Sequence, residues 1–203
     1  MTHERPILFS AEMVRAILDG RKTITRRVVK HPPHPVERVA PGEGEWWRIF
    51  WHDHAILNAR DVLCPYGKPG DRLWVRETFC VVDDTEHGGE RWVDYRATPR
   101  YSEDHPAGWD SAPNDAEALK WKPSIYMPKW ASRITLEVTD IRVERVRDIS
   151  EEDAHAEGFD GSEYTAVTWF RNLWDEINGR RPGCSWDKNP WVFVVAFRRL
   201  GAA

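Results

Sequence analysis

The sequence predicts an α+β fold: a small mixed β-barrel with peripheral helices and a long inserted loop region. Three observations predict it. Apolar residues alternate with the two-residue period of strands in many segments and recur at helical spacing in few. Most neighbouring strands are joined by hairpin-like connections, and the helices between strands are of unequal length. The clearest strand, residues 131–146, reverses its alternation part-way, as a strand does when it bends around a barrel.

Residues 6–9, Pro-Ile-Leu-Phe, form the first predicted strand. Ser10 is suited to cap a helix over 11–19, on which Met13, Val14, Ile17 and Leu18 share one face. Gly20 ends that helix in the left-handed conformation. From Arg21 to Lys30 there are five cations and no carboxylate, and the Thr-Ile-Thr core favours extended backbone, so a turn leads into a strand. Residues 31–70 read as an irregular insertion, within which the alternation of Trp47, Ile49 and Trp51 predicts a strand or hairpin. Pro69-Gly70-Asp71 is a turn that launches a strand from Arg72 to Phe79. Another strand covers 91–97, and 98–120 is a long polar loop. Ile134, Leu136 and Val138 alternate, then Ile141 and Val143 continue in the opposite phase, which places a bulge or bend at Thr139-Asp140. Ser150 caps a helix beginning at Glu151, where Glu151, Glu152 and Asp153 suit the positive end of the dipole. A further helix covers about 163–177. The last strand, Trp191 to Arg199, is apolar on both faces up to Phe197 and is therefore central.

At 203 residues the chain suits a single domain, 1–203, with insertions at about 31–70 and 98–130. A net charge of −4 argues against coating a nucleic-acid duplex with positive field, but leaves room for a small basic pocket. No stretch approaches the roughly 18 apolar residues that a spanning helix needs, and the N-terminus shows no charged-then-apolar leader. Cys64, Cys80 and Cys184 form no C-x-x-C pair and read as free thiols filling a core in a reducing compartment. A cytoplasmic location, no membrane association and no obligate protein partner are the resulting expectations. His31…His34 and His52-Asp53-His54 lack a third and fourth ligand at useful spacing, so no metal is expected. No phosphate loop or dinucleotide fingerprint is present, so no cofactor is expected either.

The segment Gly20-Arg21-Lys22-Thr23-Ile24-Thr25-Arg26-Arg27 concentrates the chemistry. Its crowded cations repel one another unless a phosphate, a carboxylate of the protein or solvent relieves them. Without further context the plain reading is a solvated basic turn. The segment resembles the signature of the ASCH family, a branch of the PUA-like barrels, and is most similar to small bacterial enzymes that hydrolyse N4-acetylcytidine. The second segment of that family is similar to Asp148 through Glu157 here. The resemblance implies a catalytic trio of Lys22, Thr25 and Glu157, with Glu151 and Glu152 as nearby competitors better explained by the helix dipole. It implies an amidohydrolase acting on a modified nucleoside of the N4-acylcytidine kind, with a threonine nucleophile activated by lysine. Arg21, Arg26 and Arg27 are then substrate-side cations, with a structural ion pair preferred for Arg26. Trp121 and Trp130 are candidates to stack a base, although a proline-braced loop packing on the barrel accounts for them slightly better. The ligand expected is a nucleoside or single-stranded RNA. The family's minimal enzymes are far shorter, and the inserted segments resemble those of longer ASCH proteins from phage and prophage. An RNA- or modified-base-binding module without turnover, or a ribonuclease, is the alternative.

Overall fold

A computed structural model of the protein describes residues 3–29, 38–41, 46–53, 56–83, 91–99, 120–161 and 164–201. β1 (Glu4–Leu8) leads into α1 (Ala11–Leu18). The Ser10 hydroxyl accepts from the Met13 amide, and Met13, Val14 and Ile17 are buried, as their spacing predicts. β2 (Ile24–Val28) follows, and β3 (Arg38–Pro41), β4 (Trp46–Asp53) and β5 (Ile56–Leu63) make an antiparallel three-stranded sheet within residues 31–70, the segment expected to be irregular. The strand expected over 72–79 is two strands, β6 (Arg72–Arg76) and β7 (Phe79–Asp83), the second paired with β8 (Arg91–Tyr95). The break falls at Glu77, which turns inward to meet Arg133 in a two-pronged ion pair, both contacts 2.9 Å.

β9 (Thr135–Arg145), α2 (Glu151–Ala156), α3 (Ala166–Asn178) and β10 (Trp191–Arg199) complete the chain. α3 begins later than the spacing predicts because Thr165 caps it, accepting from the Thr168 amide. The principal sheet has the order β1-β6-β9-β10-β2, parallel between β1 and β6 and antiparallel elsewhere. Ala196 lies opposite Asp140 and Phe197 opposite Val138, so Thr139 has no counterpart. This bulge is the physical origin of the phase reversal in the sequence.

The predicted closure into a barrel is not seen among the described residues. β1 and β2 are the outer strands of the sheet and do not pair with each other. The Phe9 ring, just after β1, lies 5.3 Å from the Arg27 guanidinium of β2 and 6.2 Å from the Phe197 ring of β10. The two edges meet instead through a side chain: Arg27 Nη2 donates to the Leu8 carbonyl at 2.8 Å.

The sheet is buried on both faces. Phe193 and Val195 join Val14, Ile17, Leu73, Val75 and Leu136 in the main core. Val192 and Val194 face the other way, onto Ala154 of α2 and Phe170 and Trp174 of α3. Two-sided burial is what makes β10 read as continuously apolar. Cys64, Cys80 and Cys184 are all buried. Among the described residues no helix is long and apolar enough to cross a membrane. The residues from 100 to 119 within the predicted long loop, and His31 and His34, lie outside the described residues.

Candidate active site

Two glycine-assisted turns bring distant segments together. Gly20, at φ +77°, reverses the chain after α1, and the Lys22 and Thr23 amides then donate to Ala16 and to Ala156 at the end of α2. Lys22 and Glu157 form an isolated antiparallel bridge. Gly158, at φ +105°, lets the two backbones touch: a Cβ there would stand 3.0 Å from that of Ala16 and 3.3 Å from that of Lys22.

Lys22 Nζ donates to Glu157 Oε2 at 2.6 Å and to the Glu157 carbonyl at 2.8 Å, with both side chains almost wholly buried. Arg26 Nη1 reaches the other carboxylate oxygen, Oε1, at 3.3 Å. Arg26 Nη2 donates to Glu144 Oε1 and to Asp153 Oδ2, both at 2.6 Å. Arg142 completes the cluster by bonding to Asp153 and, at 3.2 Å, to Glu144. Burial pushes the Lys22 ammonium below its ordinary range; Glu157 opposes that shift, and Arg27 and Arg26 add to it. For Asp153, burial works against ionisation, but hydrogen bonds from Arg26 and Arg142 outweigh it and hold the carboxyl below its ordinary range.

Thr25 and Arg26 are neighbours on an outer strand and face opposite ways. Thr25 shares the face of Val195, and Arg26 that of Val194. A cavity of about 750 Å³ wraps this free edge, so Lys22, Thr25, Arg26, Arg27 and Glu157 all line it. Among the described residues no hydrogen bond engages the Thr25 hydroxyl, so it is left to a ligand or to solvent. The remaining walls are Phe9 and Met13, the β5 segment with Arg60 and Val62, and α3 with Phe170 and Trp174.

Not every predicted residue arrives here. Arg21 lies outside the cavity, donating to the Gly158 carbonyl at 2.9 Å and to Asp19 at 3.0 Å, where it staples the end of α2. Trp121 packs against the cluster of Cys80 and Val82, Trp130 is 63% exposed, and neither lines the cavity. The aromatic walls are Phe9, Tyr66, Phe170, Trp174 and Phe193 instead. The sequence does not single out Arg142, Glu144, Arg60 or Arg181, and Asp153 there suits only the helix dipole. A local signal existed for some of these: Asp153 and Glu157 are four apart at the end of a helix, and Arg142 and Glu144 share one face of a strand. Among the described residues no group of three or more His, Cys, Asp or Glu could hold a metal ion.

No protein-family model matches the chain, and no curated protein matches it. Among solved structures it is similar to the crystal structure of protein EF3133 from Enterococcus faecalis V583, a DUF984 protein. That likeness covers 100% of this chain and 83% of the other, at 10% identity and a TM-score of 0.43.

Proposed function

We propose that the protein is an ASCH-type, PUA-like amidohydrolase that removes an acyl group from the N4 amine of a modified cytidine. The observation that carries this reading is the buried 2.6 Å contact between Lys22 Nζ and Glu157 Oε2 on the wall of a cavity that Thr25 also lines. A threonine hydroxyl needs a base, and a lysine whose ammonium is disfavoured by burial can act as one once it has released its proton. Thr25 Oγ1 attacks the amide carbonyl carbon while its proton passes to Lys22 Nζ. Collapse of the adduct breaks the carbon–nitrogen bond, and the departing N4 amine takes the proton from Lys22. Water then cleaves the acyl-threonine ester with Lys22 again as base. Glu157 fixes the lysine, and Arg26 fixes Glu157.

The test is loss of the acyl absorbance of N4-acetylcytidine on incubation with the protein. Thr25→Ala and Lys22→Ala are each expected to abolish turnover, general-base help of the kind assigned to Lys22 being worth about a hundred- to ten-thousandfold by itself. Full activity in Thr25→Ala removes the covalent route. A second reading, a modified-base binder without turnover, draws on the way Glu157 already engages both Lys22 and Arg26, since a carboxylate so placed favours the ammonium. In that case wild type leaves the acyl group in place, and Thr25→Ala binds the compound almost as well as wild type.

A further inference from the structure

Three guanidinium groups line the cavity without a carboxylate partner among the described residues. Arg26 is the contrast, with Glu144, Asp153 and Glu157 all bound to it. Arg27 donates Nη2 to the Leu8 carbonyl and leaves its buried Nε without a partner. Arg181 donates to the Asn178 side-chain oxygen at 3.1 Å, and Arg60 is exposed on β5. The acids of the cavity are already committed: Asp61 to Arg48 at 2.8 Å, and Glu157 to Lys22 and Arg26. Arg27, Arg60 and Arg181 come from three different elements, β2, β5 and the turn after α3, and face one hollow. Unneutralised like charges around a hollow repel one another until an anion enters.

The anion's chemistry follows from the rest of the wall. Phe9, Phe170 and Trp174 offer apolar surface to a planar ring. The volume of about 750 Å³ is within the range of pockets that enclose a small organic ligand. A phosphomonoester carries close to two negative charges at neutral pH and presents three oxygens to forked guanidinium donors. The net charge of −4 disfavours a long strand and favours one small anion held locally. We propose that Arg27, Arg60 and Arg181 form a phosphate subsite, so that the ligand of this cavity is a nucleoside monophosphate rather than a free nucleoside or an RNA strand. This rests on the reading of the cavity as a nucleoside site.

The experiment is calorimetric titration of the full chain at low salt with cytidine 5′-monophosphate, cytidine, inorganic phosphate and a single-stranded oligoribonucleotide. The monophosphate is expected to bind at least about tenfold more tightly than cytidine, a difference of about 1.4 kcal/mol. Inorganic phosphate is expected to compete with it. Arg60→Gln and Arg181→Gln, both at exposed positions and so melting like wild type, are expected to erase most of that preference. Arg198→Gln, outside the cavity and paired with Glu137, keeps it. Equal affinity for the two compounds, absence of binding by both, a preference that survives Arg60→Gln and Arg181→Gln, or tighter binding of the oligoribonucleotide overturns the proposal. The hydrolase reading fails separately. If neither N4-acetylcytidine nor its monophosphate is deacylated while the monophosphate still outbinds cytidine, only the chemistry is wrong and the phosphate subsite stands.

Discussion

Glu157 is the residue on which two cations depend. Removing its charge leaves Lys22 and one arm of Arg26 buried without their partner. Breaking a buried ion pair from one side costs about 3–5 kcal/mol, so Glu157→Gln is expected to lower the melting temperature far more than a surface substitution such as Glu137→Gln. A melting temperature equal to wild type contradicts the role assigned to this carboxylate. Lys22 adds a dependence on pH. Its folded-state value lies below the ordinary 10.5, so between the two the unfolded chain binds more protons and stability climbs as pH rises. The penalty is present in full below the folded value and is gone above 10.5. Lys22→Met is expected to flatten this limb in denaturant titrations run at successive pH values. A slope identical to wild type counts against a depressed lysine.

At the scale of elements, α2 is short and its position depends on what its residues grip. Asp153, held below its ordinary range by Arg26 and Arg142, supplies stability that is present above the ordinary value and is lost as pH falls through the folded one. Asp153→Asn is expected to remove that acid-side loss, read as a weaker pH dependence of unfolding on the acid side of neutrality. Gly158 bears on the same junction. Gly158→Ala puts a side chain at φ +105° against Ala16, and is expected to cost about 1–3 kcal/mol in chemical unfolding. The helix starts were legible because Ser10 and Ser150 announce them locally: each accepts from the amide three residues on. The bulge was legible because Thr139 shifts the alternation of β9 along the chain itself. The open edge of the sheet was not. Whether β1 and β2 pair is decided by how segments far apart in the chain pack together, and no periodicity records that. The walls given by Phe170, Trp174 and Arg181 were hidden for the same reason, since the docking of α3 decides them.

Over the whole molecule, burial decides what can react. Cys64 and Cys80 sit in cores where desolvation raises both thiols to about 11. At neutral pH they are expected to resist alkylation in the native protein and to react only on unfolding, so a mass shift at either cysteine under native conditions contradicts their burial. The sheet of β3, β4 and β5 has a separate consequence. It lies within the segment that the sequence reads as an insertion, yet Arg60, Val62 and Leu63 form one side of the hollow, while Lys22, Thr25 and Glu157 belong to the turns and strands around the five-stranded sheet. A lineage can therefore rewrite what the hollow admits while leaving Lys22, Thr25 and Glu157 untouched, and two descendants that keep those three side chains need not admit the same ligand.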